Sequence, residues 1–266
     1  MDSGYKNWIG VMDSGVGGIS VLKRAIDALP HESFLYFGDS LYAPYGEKNP
    51  DWIRSRTSEI VDNLIDQGVK AVVIACNTAT SAAGDFVRTQ HPGFPIIGVE
   101  PALKPAAISP ETGHILVMTT PVTIRLQKYQ ELYNKWSRDL DVSSVVCSGL
   151  AKRIEQGDLD ADDLHELLES LIGAYRGKAD GVVLGCTHYP FIHKQIRKIL
   201  GDVPLFDGAF GTARHLARIL EEQGIATASS QVGRVELHSS IDTPSQLALY
   251  DRFFNLPLET SEYGTR

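Results

Sequence analysis

Short apolar runs alternate along this chain with longer segments of helical periodicity, and this alternation constrains the fold most. The runs Val72-Val73-Ile74 and Val182-Val183-Leu184 are apolar at every position. Strands covered by helices on both faces have this pattern, whereas a strand with one exposed face alternates apolar and polar residues. Segments 55–67 and 162–175 place apolar residues at helical intervals. We therefore predict an α/β fold with mainly parallel sheets flanked by helices. The candidate strands are 8–12, 34–37, 69–75, 95–99, 115–118, 142–147, 181–185 and 203–206.

A weak internal repeat divides the candidate strands into two sets. Residues 71–78 resemble residues 181–188, and each segment ends its strand in a cysteine, with an offset of 110 residues (186 − 76 = 110). A chain of 266 residues is long enough for two modest lobes. The repeat therefore predicts two pseudo-symmetric lobes.

Breaks in the pattern indicate where the chain crosses between the lobes. Pro101, Pro105 and Pro110 indicate a crossover near residue 100, and Asp207-Gly208 indicates a second. The remaining chain predicts a helix over 212–223 and a weak strand or hairpin over 233–237. These two elements could complete either lobe.

Composition excludes several classes of protein. The chain has 25 basic and 33 acidic residues, a formal net charge of −8, and no basic run, which disfavours nucleic acid and anionic membranes as partners. Its three cysteines form no CxxC pair, and their odd number is unlike a secreted disulfide framework. The N-terminus lacks a signal-peptide pattern, and no run reaches the ~18 apolar residues that span a bilayer. We expect a cytoplasmic protein.

Two cysteines are the strongest candidates for chemistry. Cys76 and Cys186 both lie where an apolar strand gives way to polar residues, and parallel sheets bind ligands at that edge. A predicted helix begins after Cys76, and its N-terminus is expected to lower the pKa of the thiol. Thr187 and His188 follow Cys186, so we expect them to orient a substrate and exchange a proton with the thiol. Buried core cysteines are the alternative, and Cys147 is assigned to that class.

The turn after the first strand reads Asp13-Ser14-Gly15-Val16-Gly17-Gly18. Its glycines would let backbone N–H groups approach an anion at the start of the next helix. Nucleotide binding, a purely structural turn and binding of an amino-acid carboxylate are all open, and we favour the last. Ser20 stands where the dinucleotide motif has its third glycine. Asp13 could pair with a substrate ammonium or assist a catalytic group.

Weaker signals come from three other segments. Tyr45-Gly46 lies in a turn-rich loop and could offer backbone donors and a phenolic wall. Thr120 and Thr123 could cap a helix with Pro121 in its first turn. Glu155 is a carboxylate at a predicted helix end, either functional or solvated.

Other common site motifs are missing from the sequence. It contains no GxSxG, HExxH or P-loop motif. Cys186, His188 and His193 lack the further ligands that a closed metal site needs. We therefore predict no metal.

Four motifs together resemble a known family, the cofactor-independent glutamate racemases of the aspartate/glutamate racemase superfamily. They are Asp13-Ser14-Gly15-Val16-Gly17-Gly18, Pro44-Tyr45-Gly46, Ala75-Cys76-Asn77-Thr78 and Gly185-Cys186-Thr187-His188-Tyr189-Pro190, in the family order. The resemblance implies an active site in the cleft between two lobes, no cofactor, and interconversion of L- and D-glutamate for peptidoglycan synthesis. It also implies a homodimer.

The resemblance assigns roles residue by residue. It implies that Cys76 and Cys186 are acid/bases on opposite faces of the substrate Cα, assisted by Asp13 and His188, with Glu155 a weaker match. It also implies that the residues after about 207 return to the first lobe, so that the lobes comprise 1–99 with 208–266, and 100–207. The implied substrate contacts are Asp13, Ser14, Tyr45, Gly46, Asn77, Thr78, Thr120, Thr123, Thr187 and His188.

The chemistry of inversion agrees with this assignment. Inverting a stereocentre without redox chemistry requires one group to remove the Cα proton and another to return a proton on the opposite face. One thiol must therefore begin as thiolate and the other as thiol. A racemase of aspartate or another amino acid, a decarboxylase with one catalytic cysteine, and a catalytically silent amino-acid-binding protein are the alternatives; the second thiol argues against the decarboxylase.

Overall fold

The computed structural model describes residues 4–109, 113–137 and 141–259. Over these ranges the chain forms two sheets with helices on both faces, and each strand pair is parallel, which confirms the predicted α/β class. The strands are β1 (Ile9–Asp13), β2 (Phe34–Gly38), β3 (Ala71–Ile74), β4 (Ile96–Gly98), β5 (His114–Thr119), β6 (Asp141–Val146), β7 (Gly181–Leu184), β8 (Leu205–Asp207) and β9 (Val235–Ser239). The α-helices are α1 (Ile19–Ala28), α2 (Pro50–Asp66), α3 (Asn77–Gln90), α4 (Leu103–Ile108), α5 (Gln127–Trp136), α6 (Leu150–Ile154), α7 (Asp162–Ile172), α8 (His193–Leu200), α9 (Ala209–Glu222) and α10 (Pro244–Asn255).

The two sheets share one strand order. The first sheet runs β4-β3-β1-β2-β9 and the second runs β8-β7-β5-β6. The strands β1 to β4, taken in chain order, therefore occupy the same positions in the first sheet as β5 to β8 do in the second. This correspondence is the physical basis of the internal repeat. Strand β9 has no counterpart and extends the first sheet beside β2.

Helices bury both faces of each sheet, which explains why the strands do not alternate apolar and polar residues. In the first sheet, Met12 and Ile74 share a core cluster with α2 and α3, whereas Ile9 and Val11 pack with α1, α9 and α10. In the second sheet, α4 and α5 share one core cluster, and α6, α7 and α8 belong to another. None of the described helices is long and apolar enough to cross a membrane.

The chain after β8 packs on the first sheet. Helix α9 lies against α1, β9 pairs with β2, and α10 contacts β9 and α1. The segment predicted as a strand or hairpin over 233–237 is a single strand. The two crossovers run side by side. The backbone of Gly208 lies so close to Glu100 that a methyl group on Gly208 would overlap the Glu100 backbone oxygen. Pro110 and residues 260–266 lie outside the described residues.

The core on the α1 side is continuous between the two sheets. Phe253 of α10 packs edge-to-face on Phe191, which precedes α8, with ring centroids 4.8 Å apart. Both side chains are buried, and they belong to a cluster that also contains residues of β1 and β7. The two sheets are therefore joined by shared apolar packing as well as by the crossovers.

Candidate active site

Cys76 follows β3 and caps the N-terminus of α3. Its Sγ accepts a hydrogen bond from the Ala79 N–H at 3.4 Å, and the thiol donates to the Ser14 hydroxyl at 3.9 Å. Burial raises the pKa of Cys76 well above its usual value, and the nearby charge of Asp13 adds to this, while the Ala79 N–H lowers it less. The N-terminus of α3 does lower the pKa through the Ala79 N–H, but the predicted net fall of the pKa is wrong, because desolvation of the thiolate outweighs one donated hydrogen bond.

Asp13 ends β1 and is fully buried. Its Oδ2 accepts hydrogen bonds from the N–H groups of Gly15 at 3.1 Å and Gly18 at 2.8 Å. Its Oδ1 has no hydrogen-bond partner among the described residues. Burial raises the pKa of the carboxyl group, although the charge of His188 opposes the rise. Asp13 is thus a buried carboxyl with one oxygen unused beside the Cys76 thiol.

Cys186 follows β7 and begins a chain of polar contacts. Its Sγ lies 3.4 Å from His188 Nδ1, and His188 Nε2 lies 2.6 Å from Glu155 Oε1. Burial lowers the pKa of His188, but Cys186 and Glu155 raise it more, and the result lies well above the usual value. Glu155 follows α6 at its C-terminus, and its side chain is only 14% exposed, so it is not a solvated surface group.

The glycine-rich turn between β1 and α1 is in direct contact with Glu155 and His188. The Val16 N–H donates to Glu155 Oε1 at 2.9 Å. The series of contacts from Cys186 through His188 and Glu155 therefore ends at the turn after β1, which belongs to the first sheet. A methyl group at Gly15 would overlap the Glu155 carboxylate, and one at Gly17 would overlap the His188 ring. We expected the N–H groups of this turn to bind a ligand carboxylate. In the structure, Asp13 and Glu155 occupy three of them.

Three threonine hydroxyls, from the segments that follow β3 and β5, converge on one another. Thr78, at the start of α3, has its Oγ1 3.1 Å from that of Thr120 and 2.9 Å from that of Thr123, which both follow β5. The Thr123 N–H donates to Thr120 Oγ1 at 3.2 Å, as a cap would, but the segment forms only a 3-10 turn, Thr123–Arg125. The predicted helix with Pro121 in its first turn is wrong, since α5 begins at Gln127.

Tyr45 and Gly46 lie at the edge of this threonine cluster. The Tyr45 ring is fully buried, and its hydroxyl donates to Asp39 Oδ2 at 2.6 Å, so the phenol tip points away from the predicted ligand; the phenolic wall itself stays a prediction. Gly46 contacts the second sheet, because its backbone oxygen accepts from the Val122 N–H at 3.0 Å.

The remaining predicted contacts, Asn77 and Thr187, are also buried at the strand ends. The Asn77 Oδ1 has no hydrogen-bond partner among the described residues. The backbone oxygen of Thr187 accepts from the Ser20 hydroxyl at 2.9 Å, a further hydrogen bond between elements of the two sheets. The predicted site residues therefore lie at the facing carboxyl ends of the sheets or in the loops after them, except Glu155, which reaches the site from the C-terminus of α6.

Sequence reasoning missed several residues that support the site. Asp39 directly follows β2, so the rule that selected the cysteines, polar residues at strand ends, could have found it. Arg56 binds Asp39 from α2, and the hydroxyl of Tyr36 donates to the Gly15 oxygen at 2.5 Å. Nothing in the sequence marks these two, because their roles depend on tertiary contacts.

Two further predictions concern cysteine and metal chemistry. Cys147 is buried, as expected for a core residue, and burial raises its pKa to about 12. Across the described part of the chain, no group of three or more His, Cys, Asp or Glu side chains is arranged to hold a metal ion.

Comparison with known proteins places this arrangement in a family. The sequence profile of the Asp/Glu/hydantoin racemase family matches residues 9–216. The chain is 43% identical to a glutamate racemase from Clostridium acetobutylicum over 251 residues, which cover 94% of this chain and 98% of that protein.

Solved structures agree with the sequence relatives. A glutamate racemase from Francisella tularensis in complex with D-glutamate superposes with a TM-score of 0.82 at 28% identity, covering 96% of this chain and 95% of that chain. One from Escherichia coli, in complex with L-glutamate and the activator UDP-MurNAc-ala, has a TM-score of 0.79 at 29% identity, with 93% and 95% covered. Because the profile match and these relatives extend over most of its length, the chain belongs to the Asp/Glu/hydantoin racemase family of enzymes.

Proposed function

We propose that this protein interconverts L- and D-glutamate without a cofactor, using Cys76 and Cys186 as the two acid/bases. The observation that carries the proposal is the pair of thiols at the ends of the corresponding strands β3 and β7, each with its own polar partners. The charge of Cys186 contributes to the raised pKa of Cys76, so the two thiols lie within electrostatic range of each other. Two thiols flanking one carbon supply the geometry that inversion requires.

Each direction of the reaction moves two protons. The thiolate of one cysteine takes the Cα proton, leaving a carbanion, and the thiol of the other cysteine donates its proton to the opposite face. The enzyme then holds the thiolate on the other side. Burial raises the pKa of Cys76, so the resting enzyme is expected to hold this thiol protonated, while Nδ1 of the charged His188 ring lies 3.4 Å from Cys186 Sγ.

The polar groups around the thiols suit an amino-acid dicarboxylate. The hydroxyls of Thr78, Thr120 and Thr123 can donate to carboxylate oxygens, with Ser14, Gly46 and Thr187 beside them. The unpartnered oxygens of Asn77 and Asp13 can accept from an ammonium group. Because the protein has a net charge of −8, these local donors must hold an acidic substrate against the overall field.

We assign glutamate as the substrate because the relatives that are 43% and 42% identical over 94% and 93% of this chain are glutamate racemases. An aspartate racemase from Picrophilus torridus shares only the fold, at 14% identity. We infer that the D-glutamate produced supplies peptidoglycan synthesis.

The test is to measure D-glutamate formed from L-glutamate by the purified protein without added cofactor. Wild type should turn over, and Cys76→Ala and Cys186→Ala should each lose at least about 100-fold in kcat/KM, the size typical of a lost acid/base. Cys147→Ala is the matched control, because it removes a third buried thiol, which follows β6 and is not one of the two proposed acid/bases, so it should lose far less activity. Turnover of aspartate alone, or saturable glutamate binding without exchange of the Cα hydrogen, would contradict the proposal.

We further propose that the two lobes divide near residues 100 and 208, that the protein works in the cytoplasm, and that it forms a homodimer. The three free thiols suit a reducing compartment. Sedimentation equilibrium tests the homodimer, and a monomer at micromolar concentration would contradict it.

A further inference from the structure

The loop between β2 and α2 is anchored by a buried carboxylate. Asp39 follows β2 and is fully buried. The Arg56 guanidinium binds it in a fork, with Nε donating to Oδ2 and Nη2 donating to Oδ1, both at 2.8 Å. The Tyr45 hydroxyl donates to the same Oδ2 at 2.6 Å. Asp39 thus joins α2 to the part of the loop that carries Tyr45 and Gly46.

The other side of this loop touches the threonine cluster. A Cβ atom at Gly46 would lie 2.7 Å from the Cβ of Thr120, so the backbone of Gly46 packs directly on that side chain. The Gly46 oxygen also accepts from the Val122 N–H at 3.0 Å. A shift of Tyr45 would therefore move Gly46 relative to Thr120.

Arg56 contacts the loop at a second point. Its guanidinium lies 5.2 Å from the ring centre of Tyr42, and the Trp52 ring, also on α2, packs against the rings of both Tyr42 and Tyr45. The hydrogen bond to Asp39 raises the pKa of Arg56, although burial opposes it, so the guanidinium stays charged. A planar guanidinium bound at two atoms sets an orientation as well as a charge.

We propose that Arg56 is a positioning residue, which acts through Asp39 and Tyr45 to hold Gly46 against Thr120 in the substrate site. This inference rests on the proposed function for its kinetic readout only. Asp39 and Arg56 touch no reacting atom, so they should affect how well the site is assembled for binding more than the proton transfers themselves.

The kinetic test replaces Arg56 by Met, which keeps a long stem and removes the fork. Arg56→Met should raise KM for L-glutamate about tenfold, with kcat within about threefold of wild type, because binding is weakened equally in ground and transition states. Arg56→Lys should be intermediate, since it restores the charge without the fork. Glu59→Ala is the matched control: it removes the exposed partner of Arg56 at Nη1 and should leave KM unchanged.

Stability must be separated from positioning, because Arg56→Met leaves a buried charge unpaired. In the double variant Asp39→Asn/Arg56→Met that charge is gone, so the melting temperature should recover toward wild type while KM stays raised. If KM recovers together with the melting temperature, Arg56 serves stability alone and the proposal is overturned.

Hydrogen exchange provides a readout that needs no substrate. The amides of Val122 and Lys48, both hydrogen-bonded to backbone oxygens of this loop, should exchange faster in Arg56→Met, in the double variant and in Tyr45→Phe, but not in Glu59→Ala. Unchanged exchange in all three variants would overturn the proposal. A wild-type protein that does not racemise glutamate would defeat the proposed function, while the exchange result would still decide the role of Arg56.

Discussion

At the scale of single residues, the two thiols differ in their surroundings. Two features of its surroundings disfavour the thiolate of Cys76: the side chain is buried, and the negative charge of Asp13 lies nearby. Cys186 lies beside a His188 whose pKa is raised by the same thiol and by Glu155. The site is thus pseudo-symmetric in its backbone and asymmetric in its electrostatics.

Asp13→Asn should make Cys76 more reactive. The amide oxygen can still accept from Gly15 and Gly18, while the negative charge that raises the pKa of Cys76 is removed. Alkylation of Cys76 by iodoacetamide at neutral pH, followed by mass spectrometry of its peptide, should be several-fold faster than in wild type. Ser14→Ala removes a group that lowers the pKa and should slow it. Equal rates in all three proteins would contradict this assignment.

His188 should make stability depend on pH in a defined window. Its pKa in the folded state is raised well above 6.5, its unperturbed value, so the folded state binds the extra proton more tightly than the unfolded state. This stabilisation is complete below about pH 6.5 and is lost as pH rises through the folded pKa. The free energy of unfolding of wild type minus that of His188→Asn, from urea titrations, should therefore shrink as pH rises above about 6.5. A difference that stays constant or grows as pH rises would contradict a raised pKa of His188 in the fold.

At the scale of secondary-structure elements, the turn between β1 and α1 connects the two elements and also binds side chains from both sheets. Its N–H groups hold two carboxylates, and its glycines leave room for side chains of the second sheet's elements. This close approach explains why small residues occupy the turn.

Gly15→Ala should separate activity from stability. The added methyl group would displace the Glu155 carboxylate from Val16 and His188, so racemisation should fall by about 100-fold or more, as for a lost acid/base partner. Gly211→Ala in α9 is the matched control, because nothing lies within 4 Å of its added methyl. That variant should keep full activity and gain up to ~1 kcal/mol in the free energy of unfolding. Near-normal activity of Gly15→Ala would contradict the role given to Glu155.

At the scale of the whole molecule, the chain returns to the first sheet after building the second. Helices α9 and α10 pack on α1, and Phe253 packs on Phe191 across the shared core. This return joins the sheets on the α1 side, while the site lies at their facing carboxyl ends.

Phe253→Ala should destabilise the whole protein. The side chain is fully buried, so its truncation should cost ~3–5 kcal/mol of unfolding free energy, measured by urea denaturation. Phe86→Ala, at a side chain 45% exposed, is the control and should cost less than ~1 kcal/mol. A small loss for Phe253→Ala would mean that α10 is not part of the cooperative core.

The sequence by itself determined the class of fold, because uninterrupted apolar runs can only be buried on both faces by flanking helices. It also determined the location of the two thiols, because polar residues at the ends of parallel strands share one edge of a sheet. The threonine contacts were implied by the family resemblance of the motifs. These inferences depend on local periodicity, which a single segment carries.

Only the tertiary structure decided what those residues contact. It assigned the N–H groups of the first turn to Asp13 and Glu155, bound the Tyr45 hydroxyl to Asp39, and raised rather than lowered the pKa of Cys76. Each of these outcomes depends on burial and on partners far apart in the chain. Desolvation and long-range hydrogen bonds have no signature in one segment, so the sequence could locate the chemistry but not its electrostatics.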